Sequence, residues 1–334
     1  MIPLINITPL FGPPGAGRDA VDAAIMEAAA GTGFMAITGP PAIVPATPAI
    51  RAALLRLFTL SPAQTARLAR RTFVPGNPNI YRGWFPLQPG NATYKEGIDI
   101  GPDIAHPAVA SDDPLQEPTP RPSESDLPDW RAAAAEYYHG MEALGRMVMR
   151  AVARGLGLPE TQFDTAFAGG ISTLRLIHYP RRTPESFEGA ADAWVMHAGE
   201  RRPVTGAAHV DSGFLTLLAQ DGVAGLQAQD ASGAWIDVPP EEGTLAVNFG
   251  GLLERWSGGR IKATRHRVLG SDRARYSIPF FYEARPDAEI APLPGAAPFA
   301  AFTYGDHLWA AMCAFVEFRG LEGARVPSRT LAEG

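Results

Sequence analysis

AHVDSGFLTLLAQD, residues 208–221, decides how this chain is read, and it is answered by TRHRVLG at 264–270 and ARYSIPFF at 274–281. His209 and Asp211 stand at i and i+2, which on a β-strand puts an imidazole and a carboxylate on one face. Leu215, Thr216, Leu217 and Leu218 then alternate as a strand with its apolar side in a core. His266 follows Asp211 by 55 residues, room for about four strands of a roll, enough to bring the chain back beside its start. Two histidines and one carboxylate make the ligand set expected of non-haem Fe(II), with positions left open for substrate and oxygen.

Outward from this stretch, short apolar runs separated by turns recur from Gly170 onward: STLRLIHYP, AWVMHAG, RPVTGAAHV, FLTLLAQ, GLQAQD, AWIDVP, GTLAVNFG, IKATRHRV and RYSIPFFYEA. Their close spacing predicts an antiparallel jelly roll or barrel. Upstream, PLINITPL reads as a strand, Gly17 to Ala30 as a helix, Phe34 to Thr38 as a strand closed by Gly39-Pro40, and Pro48–Thr59 and Ser61–Arg70 as helices, the last capped by Ser61. Residues 73–128 are rich in Pro, Gly and Asn and read as exposed connection. A long helix is expected from about Asp129 to Leu156, and a final helix from Tyr304 to Phe318. The whole, residues 1–334, is expected to be one domain: an α/β N-terminal region with loops (1–128), a backing helix (129–169), a β core (170–300), and a C-terminal helix and tail (301–334).

With 46% hydrophobic residues the 334-residue chain buries a large core, and 35 Gly with 32 Pro suit many turns rather than a helical bundle. A net charge of -6, with Lys and Arg scattered, argues against nucleic acid and anionic membrane surfaces as partners. There is no basic leader before an apolar core and no run of about 18 uncharged apolar residues, so neither a secretory signal nor a membrane span is expected. Lone Cys313 forms no internal disulfide, which suits a reducing, cytoplasmic setting. Oligomeric state leaves no mark on the sequence.

Nine residues after His266, Arg275 and Ser277 form another i, i+2 pair. A guanidinium beside a hydroxyl suits the far carboxylate of a dicarboxylic co-substrate, because Arg binds carboxylates bidentately. Tyr179 either adds its phenol to that carboxylate or packs as an ordinary aromatic. For a small-molecule substrate the candidates are Tyr81 and Arg82, in a loop that either reaches over a barrel mouth or is merely pinned by Arg82; Arg175, on the strand face of Tyr179 and in need of a carboxylate partner if buried; Phe249, which with Asn248 passes near the metal as a structural turn or a pocket wall; and Phe281 as a pocket wall. His106, His178, His197 and His307 have no matching partner at useful spacing and read as structural or exposed, and His139 in the long helix reads as a surface or packing residue.

The combination of HxDxGxLTLLxQD at 209–221, a distal histidine in TRHRV, RxSxPFF at 275–281 and the Tyr179-Pro180 pair resembles the isopenicillin N synthase-like branch of the Fe(II)- and 2-oxoglutarate-dependent oxygenases. GTGFMAITG, NIYRGWFP and KEGIDIG extend the resemblance into the N-terminal region. It implies a double-stranded β-helix, mainly β with flanking helices, with His209, Asp211 and His266 on iron and Arg275, Ser277 and Tyr179 on the C5 carboxylate of 2-oxoglutarate. The implied reaction uses O2, converts 2-oxoglutarate to succinate, and hydroxylates or desaturates a small molecule. Ile177 stands where many 2-oxoglutarate users have Asn, as in isopenicillin N synthase, so the alternative is an oxidase that works without 2-oxoglutarate; Gly251 stands where many relatives have Asp. A third reading, from another class, is a β-helix that binds a ligand without turnover.

Overall fold

The structure, a computed structural model, describes residues 1–108, 110–190 and 192–327; the end of the expected C-terminal tail, 328–334, lies outside the described residues. The chain opens with β1 (Leu4–Asn6), α1 (Ala16–Ala30), β2 (Phe34–Thr38), α2 (Pro48–Leu55) and α3 (Pro62–Leu68). The helix expected at 48–59 ends as α helix at Leu55 and tightens into a 3-10 turn over Arg56–Thr59. Ser61 does cap α3: its hydroxyl accepts from the Gln64 amide, and the Gln64 side chain accepts from the Ser61 amide.

Residues 73–128 are not simply connection. They contribute β3 (Gly83–Phe85) and β4 (Glu96–Ile100), both with mostly buried side chains. Two strands this short, embedded among Pro and Gly, show too little alternation to stand out from a loop. The long helix α4 (Trp130–Gly155) is followed by the single turn α5 (Asp164–Phe167). Strands β5 (Thr173–Tyr179), β6 (Trp194–His197), β7 (Glu200–His209), β8 (Leu215–Gln220), β9 (Leu226–Gln229), β10 (Trp235–Asp237) and β11 (Thr244–Phe249) come next, each within a run expected to be strand except β7, which begins two residues before its run. After the short helix α6 (Gly251–Trp256) come β12 (His266–Leu269), β13 (Arg275–Tyr282) and α7 (Tyr304–Cys313).

Among the described residues these strands form an eight-stranded sheet, ordered β1-β2-β11-β8-β13-β5-β4-β3, and a five-stranded sheet, ordered β10-β9-β12-β7-β6. The pairings are antiparallel apart from β1 with β2. This is the expected jelly roll, and the four strands between His209 and His266 are β8 to β11. The N-terminal strands are not a separate layer, since β1 to β4 extend the larger sheet at both edges.

Alternation along the strands sorts the side chains into two cores. Leu174 and Leu176, Leu215 and Leu217, Leu245 and Val247, and Ile278 and Phe280 face outward and join one cluster with Leu144 and Val148 of α4. Each such burial is worth roughly 1.5–3 kcal/mol. The opposite faces, with Ile177, Tyr179, Ala246, Leu226, Ala228 and Val268, line the interior of the roll. Helix α4 lies close on the sheet at Gly145, where an added Cβ would fall 2.7 Å from the Tyr282 ring. Replacing Gly145 by Leu should therefore destabilise the fold by about 1–3 kcal/mol, the usual cost of overpacking, read as a lower urea midpoint with an unchanged slope.

Candidate functional site

His209 ends β7 and His266 begins β12, and the register of these antiparallel strands sets the two residues opposite each other. Their rings lie 4.3 Å apart between centroids. His209 Nδ1 is 2.8 Å from the Ala207 carbonyl and His266 Nδ1 is 3.1 Å from that of Thr264, so each ring nitrogen Nε2 is left for the centre between them. Asp211 lies just beyond the end of β7 and not on it, so strand alternation is not what orients it. Its loop is held from α6: the Gly251 amide donates to the Asp211 carbonyl at 2.7 Å, and the Gly250 amide to that of Phe214 at 2.9 Å. Gly250 is required for this approach, because a Cβ there would sit 2.3 Å from the Gly213 carbonyl oxygen. Gly251 gives its backbone to the site, and a side chain there would meet that same Asp211 carbonyl at ordinary contact, 3.7 Å.

So held, Asp211 Oδ1 is 3.5 Å from His209 Nε2 and 3.7 Å from His266 Nε2, and one ligand atom from each of the three residues falls within 4.8 Å of the others. Oδ2 accepts from the Thr216 hydroxyl at 2.7 Å and from Asn248 Nδ2 at 2.8 Å. Burial works against the charge of Asp211, yet the neighbouring His266 and His209 and the Thr216 hydroxyl hold its carboxyl well below the usual range. Burial lowers the pKa of His266, opposed by Asp211, which favours the neutral, ligating imidazole. His209 is half exposed (45%) and His266 is nearly enclosed (10%), so the centre opens on the His209 side. Two imidazoles and a carboxylate converging on one point, with an open side, fit a divalent first-row metal.

Arg275 and Ser277 share the interior face of β13, opposite Tyr179 and Ile177 of β5. Arg275 is buried; its Nε donates to the Val223 carbonyl at 3.2 Å and its Nη2 to Gln220 Oε1 at 3.1 Å. Its Nη1 and the Ser277 Oγ are both buried without a partner among the described residues. The Tyr179 ring lies under the guanidinium, 5.3 Å from centroid to Cζ. Burial lowers the Arg275 pKa, opposed by Tyr179 and Asp221. A buried cation with an unpaired N–H beside an unpaired hydroxyl lacks what a carboxylate supplies.

The substrate candidates fare differently. Phe281 is half-buried on the interior face and opposes Thr216, the residue that bonds Asp211. Arg175, on the same face of β5, lies over the Phe281 ring at 5.3 Å and finds its partner within the protein: Nε and Nη2 grip Asp99 at 2.5 and 2.8 Å. Asp99 is shared with the buried Arg70, which also reaches Glu317 at 2.7 Å. Phe249 faces the wrong way for a pocket wall: it is fully buried in the outward core, and its neighbour Asn248 is the one that turns inward. Arg82 does not reach over the mouth. It is fully enclosed, donating to Thr173 Oγ1 at 2.5 Å and to the Ile171 carbonyl at 2.7 Å. Tyr81 packs on Trp309 and Phe318, and burial raises its pKa. Both backbone amides bond Glu117, so the pair pins its own loop. His197 lies against Gln227 and Asp237, away from the metal cluster.

Sequence reasoning missed Gln220 and Asp99, took Thr216 for strand packing, and put Asn248 near the metal as a turn or pocket wall without seeing its bond to Asp211. The Gln-Asp pair at 220–221 carried a signal: Gln220 steadies the Arg275 guanidinium, and Asp221 takes the Tyr276 amide at 2.6 Å.

Residues 173–284 match the family model of the 2OG-Fe(II) oxygenase superfamily. The 2-oxoglutarate-Fe(II) type oxidoreductase hxnY of Emericella nidulans is 33% identical over 309 residues, spanning 87% of this chain and 82% of that protein. Isopenicillin N synthase of Streptomyces clavuligerus is 29% identical over 320 residues, spanning 92% and 93%. Among solved structures, a full-length Neurospora crassa protein in complex with alpha-KG superposes with a TM-score of 0.78 at 28% identity, covering 94% of this chain and 96% of that one.

Proposed function

The chain belongs to the 2OG-Fe(II) oxygenase superfamily, and from that premise we propose that His209, Asp211 and His266 are its iron ligands and that Arg275, Ser277 and Tyr179 receive the C5 carboxylate of 2-oxoglutarate. The enzyme is an Fe(II)- and 2-oxoglutarate-dependent oxygenase acting on a small molecule. We take residues 1–334 as one oxygenase domain, because β1 to β4 are built into the same sheet as β5 and β13. Among the described residues no helix is long and apolar enough to cross a membrane.

The observation that carries the assignment of residues is the pair of unpartnered donors, Arg275 Nη1 and Ser277 Oγ. In an oxidase without 2-oxoglutarate, the reading that Ile177 motivates, the substrate itself would have to bring an anionic acceptor to those two groups, since donors left buried and unsatisfied cost on the order of 1–3 kcal/mol each.

Bound iron would supply the redox chemistry that couples O2 and 2-oxoglutarate decarboxylation to oxidation of the substrate. The chain's own residues do the positioning. Thr216 and Asn248 fix the rotamer of Asp211 and keep it an acceptor. The Ala207 and Thr264 carbonyls fix both imidazole tautomers. Gln220 and the Val223 carbonyl hold the Arg275 fork level with Ser277. Phe281, beside Thr216, and Arg175, whose Nη1 donates no hydrogen bond among the described residues, form the substrate wall, which suits a small planar molecule with a polar edge. The same Neurospora crassa protein, crystallised with thymine at 26% identity and with 5-formyluracil, supports that shape of ligand.

Two measurements test this. Anaerobic titration of the Fe(II)-loaded protein with 2-oxoglutarate should develop a weak visible charge-transfer band. In Arg275→Gln its half-saturation should rise about 10–100-fold, the loss of a charge-assisted bond; an unchanged titration would sink the assignment of Arg275. Thr216→Val should weaken Fe(II) retention about 10–100-fold in chelator competition, because it removes a partner of a ligating carboxylate, while the circular dichroism spectrum stays the same.

A further inference from the structure

Along the chain His106 lies 36 residues from Glu142, but the fold brings it, with His139, to that one carboxylate. His139 and Glu142 sit at i and i+3 on α4, a spacing that sets them on one helix face. His106 follows the turn after β4, its backbone amide held by the Pro102 carbonyl at 2.8 Å. His106 Nε2 lies 2.7 Å and His139 Nδ1 3.8 Å from the same Glu142 Oε2. One ligand atom from each residue falls within 4.8 Å of the others, and the two rings stand edge to face at 4.9 Å and 89°. Donor atoms around a tetrahedral zinc, at about 2.0–2.1 Å from the ion, are roughly 3.3 Å apart, a value between the two separations seen here.

The cluster is separate from the oxygenase site. His106 rests edge-on against Tyr138, and Tyr138 against Phe280, whose side chain points away from the roll interior. The side chains of His106, His139 and Glu142 are 43%, 53% and 21% exposed, so an ion can enter from solvent and water can complete its shell.

We propose that His106, His139 and Glu142 form a second divalent-cation site, for zinc or another first-row ion that favours imidazole, such as nickel or copper. Its ligands come from two elements, α4 and the segment leaving β4, so a bound ion clasps that segment to the helix. A site of this kind is independent of whether the interior cluster binds iron.

The test is equilibrium dialysis of the full-length protein against micromolar Zn(II), with metal per chain counted by atomic emission. The parent should hold one more equivalent than either the His106→Ala/His139→Ala double variant or Glu142→Gln, each checked for parental circular dichroism. Two equivalents falling to one is expected if the interior cluster also binds zinc, and one falling to none if it does not. A double variant and a Glu142→Gln variant that hold as much zinc as the parent would overturn the proposal, leaving a hydrogen-bonded His–Glu pair and nothing more.

Discussion

A carboxylate placed inside a β-roll keeps its charge only when donors or cations surround it. Asp211 is provided for on every side, by two imidazoles at Oδ1 and by the Thr216 hydroxyl and Asn248 amide at Oδ2. That requirement reaches far into the fold. Thr216 and Asn248 are cross-strand partners on β8 and β11, so both serve Asp211 only in this register. A slip of one residue would bring Leu215 or Phe249 to the carboxylate and leave it unsatisfied. The loop that carries Asp211 depends in turn on backbone contact with Gly250 and Gly251, where β11 gives way to α6.

How much of this was legible follows from how far apart the cooperating residues lie. His209 with Asp211, and Arg275 with Ser277, are two residues apart and visible as motifs, and the gap to His266 matched the four strands that fill it. The long helix and the jelly-roll strands were visible because their apolar periods are sustained. Asp99 was not visible as the partner of Arg175, since 76 residues separate them and Asp99 lies in a strand that reads as loop. Of the pair Asn248 and Phe249, expected near the metal, strand parity gives only Asn248 the inward face and sends Phe249 into the outward core. Arg82 stayed open between reaching over the mouth and pinning its own loop because a loop sequence says nothing about depth; this loop is drawn inward by Tyr81 and Trp84 packing in the core.

The interior arginines differ in how much of their donor capacity the protein itself satisfies. Arg82 spends both terminal nitrogens on Thr173 and the Ile171 carbonyl, and Arg175 forms a two-point contact with Asp99. Arg70 reaches two carboxylates. Arg70 and Arg82 leave only Nε without a partner, a nitrogen flanked by its own side chain and poorly placed to grip a ligand. Arg275 leaves a terminal nitrogen, and beside it is a serine hydroxyl equally without a partner among the described residues. Two adjacent unsatisfied donors in a closed interior are too costly to be incidental when a single rotamer change or a neighbouring acceptor would relieve them. The proposed co-substrate carboxylate is the acceptor that would satisfy both, and burial would make that contact strong for the same reason that it makes unpaired donors expensive.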